Sequence, residues 1–173
     1  MVNAIAIPKI LIGTWSLLNT TPTDLNGVPK PPEEPGYGHH PTGQILYTPT
    51  HMSANIMSTD RAHRPASLAW PANTTEKLQN WAIVGRTTLH YAGPLTALEG
   101  SGDKNGRLIH GPLTVSNRPS WDGTPQERNY TLTEEEVTVE GEGGEVRKRL
   151  VLHLWARNET SKNIANLFWE KIA

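Results

Sequence analysis

Residues 11–15 read LIGTW, and residues 150–157 read LVLHLWAR. The first sets a Gly-x-Trp inside the first apolar run. The second ends the last long apolar run on Trp-x-Arg. Each pattern alone is common, and what lies between them decides how they are read. Ile10–Leu18 is apolar and β-compatible. GQILYT (43–48) and HMSANIM (51–57) flank Pro49 and Thr50 and read as a hairpin. Further strands are expected at Arg86–Leu98, Arg107–Ser116, Arg128–Thr133, Val137–Glu140 and Arg147–Arg157. GSGDKNG (100–106) and GEGG (141–144) supply strong turns between neighbours.

Two helices are predicted. Thr74–Val84 has a threonine to cap it, Glu76 in its first turn and Gly85 to end it. Its Leu78, Trp81 and Ala82 share a face. SKNIANLFWEK (161–171) reads as a short terminal helix, capped by Ser161 and striped by Ile164, Leu167 and Phe168. Residues 19–42, which include PKPPEEPGYGHHP, form a long loop, and 58–73 are irregular. About eight strands with turns at regular spacing make an all-β sandwich or barrel. A closed barrel of that size holds one small ligand.

The 173 residues suggest one domain, 1–173. There is no cysteine, which fits a reducing compartment such as the cytoplasm. The N-terminal apolar stretch lacks a basic lead and is interrupted by Pro8 and Lys9, so it reads as a strand with its lead-in. No apolar run approaches the ~20 residues that cross a bilayer. A net charge of -1 argues against nucleic acid as partner. Six Trp stand against four Tyr and one Phe. Indole supplies an apolar face and one donor, which suits a pocket wall and a core alike.

In order, the chain then carries LIGTWSL, GQILYTPTHMSANIM, HYAG (90–93), LIHGPLTVSNRPSWDGTPQERNYTL (108–132) and LVLHLWAR. In this set it resembles the lipocalin-like domain proteins of bacteria and fungi, within the calycin group of β-barrels. The resemblance spans nearly the whole chain. It implies an antiparallel barrel of about eight strands with a short helix near the mouth. It also implies that Trp15 closes one end with Arg157 laid over its indole, a cation–π contact of ~0.5–2 kcal/mol. The long 19–42 and 99–106 insertions depart from the family pattern and bar the transfer of a substrate from any relative.

On the strand Arg107–Ser116 both faces are apolar, so alternation leaves the orientation of His110 open. The resemblance places it inside, where it is either a satisfied core histidine or an acid–base group. Tyr47 and Tyr91 match family positions and either pack or donate to a substrate carbonyl. Arg128 either locks its turn through Asp122 or Glu127, or enters the barrel to bind an oxyanion or carboxylate. These four are the candidate catalytic residues. Asn55 and Met57, on one parity, are candidate ligand contacts. His153 and Trp155 join them, sharing the parity of Arg157, as do Trp121 at the rim and Trp81 on the helix. His39 and His40 lie in a Pro/Gly loop with nothing to complete a metal site. His51 and His63 read as exposed.

No nucleotide, nucleophile-elbow or zinc motif is present, so no cofactor and no metal are expected. The reading is an apolar cup with indole walls and a few polar groups. Two functions fit it. One is a cofactor-independent cyclase or isomerase of a hydrophobic natural-product intermediate, a role some relatives in fungal secondary metabolism have taken. The other is a carrier that binds a lipophilic molecule unchanged. Exposed Trp residues leave room for a homodimer, which nothing in the sequence specifies.

Overall fold

Eight antiparallel strands follow one another around a closed barrel in chain order. The computed structural model describes residues 3–31, 36–70, 74–138 and 144–173. Its elements are β1 (Ala4–Ile5), a 3-10 turn (Lys9–Leu11), β2 (Gly13–Thr20), β3 (Thr23–Asp24), β4 (Thr42–Tyr47), β5 (His51–Met57) and α1 (Thr75–Arg86). Then come β6 (Thr88–Leu98), β7 (Asn105–His110), β8 (Val115–Ser116), a second 3-10 turn (Pro119–Trp121), β9 (Gln126–Thr138), β10 (Val146–Asn158) and β11 (Asn163–Lys171). Strands β2, β4, β5, β6, β7, β9, β10 and β11 each pair with the next, and β11 returns to β2. The short β1, β3 and β8 pair with β6, β11 and β6. The all-β barrel expected from the sequence is borne out.

Period-two alternation sorts the side chains. Ile45 and Tyr47 of β4, Met52, Ala54 and Ile56 of β5, and Leu89, Tyr91, Leu95 and Ala97 of β6 are buried in one core cluster. Leu108, Tyr130, Leu132, Leu152, Leu154 and Trp169 complete it from the other strands. One end is closed by the segment before β2, whose Ile7 and Leu11 join the core. The described parts of the connections β2–β4, β5–β6, β7–β9 and β10–β11 join the strands at the other end, the mouth. Helix α1 belongs to one of them. Thr74 caps it, its Oγ1 accepting from the Lys77 N–H at 3.3 Å. The helix runs past Gly85 to Arg86 because Thr87, not the glycine, ends it. No residue of α1 is buried. No helix among the described residues is long and apolar enough to cross a membrane.

Several expectations are corrected. The terminal segment is no helix: Asn163–Lys171 is β11, pairing with β10 on one side and β2 on the other. Its Leu167 and Trp169 alternate as well as Ile164, Leu167 and Phe168 stripe. Closing the barrel satisfies two rows of backbone groups, which a lone short helix does not offer. The strands expected at 128–133 and 137–140 are one continuous β9, since Glu134, Glu135 and Glu136 stay paired with Leu150, Arg149 and Lys148. That strand is described to Thr138; Val139, Glu140 and residues 141–143 of the expected turn lie outside the described residues. The strand expected at 107–116 stops at His110, and β8 resumes alongside β6.

Arg157 does not lie over Trp15. It is exposed and paired with Glu159. Lys171 takes that place, with Nζ 5.5 Å from the Trp15 ring centroid and 2.9 Å from the Ile10 carbonyl to which it donates. Trp15 Nε1 donates to the Leu11 carbonyl at 2.9 Å.

The glycine of the Gly-x-Trp has its own reason. Gly13 has φ +135°, and a Cβ there would fall on the backbone carbonyl oxygen of Ala173. Gly13→Ala should therefore destabilise the fold by about 1–3 kcal/mol. Urea denaturation checks this, and an unchanged midpoint would show that the contact is dispensable.

Candidate functional site

Three polar rings meet inside the apolar barrel. Tyr47 comes from the end of β4, Tyr91 from β6 and His110 from the last position of β7. All point inward because each falls on the buried parity of its strand. Tyr47 Oη lies 3.0 Å from His110 Nε2, and Tyr91 Oη 3.4 Å from His110 Nδ1. His110 is fully buried, and the two phenols are 1% and 5% exposed. Burial, and next the Arg128 charge, hold His110 well below the ordinary imidazole value. Burial also pushes Tyr47 well above the usual phenol range; Tyr91 adds to this and Arg128 opposes it. The imidazole is therefore neutral near pH 7, with one N–H and one lone pair.

Proton counting then constrains the site. Two phenol O–H groups and one imidazole N–H make three donors for two ring–ring contacts. The phenol that accepts from the imidazole keeps its own proton for another partner. The shorter Tyr47 contact suits a phenol donating to Nε2. In that tautomer Nδ1–H points to Tyr91 and the spare hydroxyl proton is Tyr91's; in the other it is Tyr47's. A second unspent donor lies in the same core: Trp169 Nε1 is buried with no acceptor among the described residues. An unmet buried donor costs about 1–3 kcal/mol.

Trp121, Arg128, Tyr37 and Arg118 cover this triad toward the mouth. The Trp121 and Tyr91 rings meet edge to face at 5.5 Å. Arg118 and Arg128 approach the Trp121 ring at 4.8 and 5.5 Å. Arg118 Nη2 donates to Tyr37 Oη at 2.7 Å. Tyr37 and Trp121 both pack on the core cluster. Arg128 pairs with neither Asp122 nor Glu127: its Nη1 donates to the Glu127 carbonyl, and the Glu127 carboxylate takes Arg107.

The structure thus brings together Tyr47, Tyr91 and His110, with Trp121 and Arg128 beside them. It separates the other candidates. Asn55 and Met57 face outward, because Met52, Ala54 and Ile56 fill the inner parity of β5. His153 and Trp155 also lie outside, since Leu152 and Leu154 take the inner parity of β10. His153 stacks on Phe168 at 4.4 Å and contacts Asn166 Oδ1 at 2.9 Å. Parity with Arg157 does not bring them inside, because Arg157 does not cover Trp15. Trp81 does not cap the triad. It packs edge to face on Trp70 and lines clefts beside α1. His63 is not exposed but half-buried against Ser58 Oγ.

Three residues beside the triad are not among the candidates read from the sequence. Tyr37 sits in the Pro/Gly loop, where a lone aromatic was its only signal. Arg118 precedes Trp121 by three residues. Trp169 lay in the segment read as helix.

The profile of the family described as lipocalin-like domain matches residues 12–172. No curated protein and no solved structure matches the chain.

Proposed function

The chain belongs to the lipocalin-like domain family, and from that premise we propose that it takes a small lipophilic molecule into its barrel and presents the Tyr91 hydroxyl to an oxygen of that molecule. A lipocalin-like barrel fits a small hydrophobic ligand. The observation that carries the finer reading is the spare proton of the Tyr47–His110–Tyr91 chain. A ligand carbonyl would meet it in a medium where hydrogen bonds are strong. Entry is by way of Trp121 and Tyr37, which cover Tyr91 without being fully buried. A cytoplasmic setting belongs to the same proposal, supported by the cysteine-free chain.

A catalytic reading, a cofactor-independent cyclase or isomerase, is favoured by the imidazole behind Tyr91. It backs the phenol and sharpens its donation to a carbonyl oxygen. Burial disfavours the charged form of both His110 and Tyr47. Polarising a carbonyl and enclosing the chain therefore suit this site better than moving a full proton. Ring closure of a held, folded substrate needs no more. Carriage of the ligand unchanged is the reading that needs least of the site.

Native mass spectrometry of protein from its producing cells, with extraction of bound small molecules, identifies the ligand. Tyr91→Phe should then weaken its binding about tenfold, the loss of one buried hydrogen bond. Tyr47→Phe should cost less. Equal affinity in Tyr91→Phe and the unaltered protein would sink the assigned role. Incubating the extracted molecule with ligand-free protein separates the two readings. A product of the same mass and a new retention time marks an enzyme, and unchanged recovery marks a carrier.

A further inference from the structure

Arginines surround the outside of the barrel mouth. A cleft of about 700 Å³ runs between α1 and the loop after β8, with Arg64, Arg86 and Arg118 on its lining and Trp81 as its aromatic wall. A smaller cleft of about 210 Å³ opens beside it, and Arg86 and Arg118 line that one too, with Tyr37 and Leu167. A third, of about 420 Å³, shares Arg64 and Trp81 and adds Arg61. Among the described residues, no lining residue of the three is acidic. Among the described residues, none of these four arginines makes an ion pair.

The charge is local, because the whole chain carries only -1. Lysines and arginines on β10 meet their carboxylates instead, as in Lys148–Glu134 and Arg149–Glu135. Two of the mouth arginines are held by neutral oxygens. Arg64 donates to Thr88 Oγ1 at 3.1 Å and Arg118 to Tyr37 Oη at 2.7 Å. Such bonds fix the guanidinium without cancelling its charge. Guanidinium forks match carboxylate, sulfonate and phosphate oxygens, and a cleft of one sign concentrates the opposite charge.

We infer that these joined clefts hold the anionic head of an amphipathic small molecule. Arg86 and Arg118 meet the head, and the apolar body lies along Tyr37 and Leu167 toward the barrel. This inference rests on the reading that the mouth admits a lipophilic ligand, and it narrows that ligand to an organic anion.

The test compares cis-parinaric acid with its methyl ester, both below the concentration at which they aggregate, by fluorescence titration. The acid should bind at least about tenfold more tightly than the ester. The gap should shrink as salt rises. Arg86→Glu, at an exposed residue with no side-chain bond among the described residues, should abolish the gap. Lys104→Glu, the same charge reversal at the far end of the barrel, should leave it intact. Arg118→Gln should act like Arg86→Glu, with circular dichroism confirming the fold. Equal binding of acid and ester overturns the inference while the lipophilic-ligand reading stands. Binding of neither removes both. Capture by vesicles of anionic phospholipid with no preference for the monomeric acid overturns it in favour of a membrane surface.

Discussion

Replacing Trp15 by Ala is expected to lower the free energy of unfolding by about 3–5 kcal/mol. The indole is fully buried at the closed end of the barrel. It packs where Leu11 and Ile45 are also fully buried, so little can collapse into the space it leaves. Its loss also strips the Leu11 carbonyl of its donor and Lys171 of the ring beneath it. Trp15→Phe keeps an aromatic ring but lacks the N–H, and should cost less, about 1–3 kcal/mol. Arg157→Ala should stay within about 0.5 kcal/mol, as for an exposed pair. Urea midpoints of the three variants measure this. A large effect at Arg157 with a small one at Trp15 would reverse the assignment of the plug.

The second large effect is a pH dependence of stability. His110 is held neutral in the fold, its value well below 6.5 through burial and then the Arg128 charge. In the unfolded chain it takes up a proton near its ordinary value. Below about pH 6.5 the unfolded state therefore binds more protons than the native state, and stability falls as the pH falls. One such group contributes at most about 1.4 kcal/mol per pH unit between its unfolded and folded values. His110→Gln keeps hydrogen-bonding capacity and does not titrate. Its stability-against-pH curve from pH 7.5 to 4.5 should be flatter than that of the unaltered protein by this slope. Parallel curves would mean that His110 takes its proton in the folded state as easily as in water. The closed, neutral triad would then be wrong.

How much of this was legible in the sequence follows from which signals are local. LIGTW, the hairpin around Pro49 and Thr50, and the glycine-rich turn at 100–106 each carry their reason within a few residues, and each appears where expected. Thr74 caps α1 as its position suggested. The alternation of Met52, Ala54 and Ile56 against Ser53, Asn55 and Met57 also stated which side was apolar. Asn55 follows that pattern to the outer face, and an amide's need for partners does not override it. In LVLHLWAR the three leucines named the inner face in the same way, and the borrowed position of Arg157 overrode them.

By itself the sequence determined a chain of about eight strands, sandwich or barrel, and the place of most of its turns, because hydrophobic alternation and turn chemistry act between near neighbours. The barrel's closure decided the rest. Asn163–Lys171 suits either a helix stripe or a strand, and only the two open edges of β10 and β2 make it a strand. Lys171 reaches Trp15 across 156 residues of chain for the same reason: β11 and β2 are neighbours only once the barrel is shut. Tyr47, Tyr91 and His110 likewise stand on three strands, and no spacing between them encodes a hydrogen bond. Their spare proton exists only when three chain segments fold around one imidazole and exclude the water that would otherwise take it.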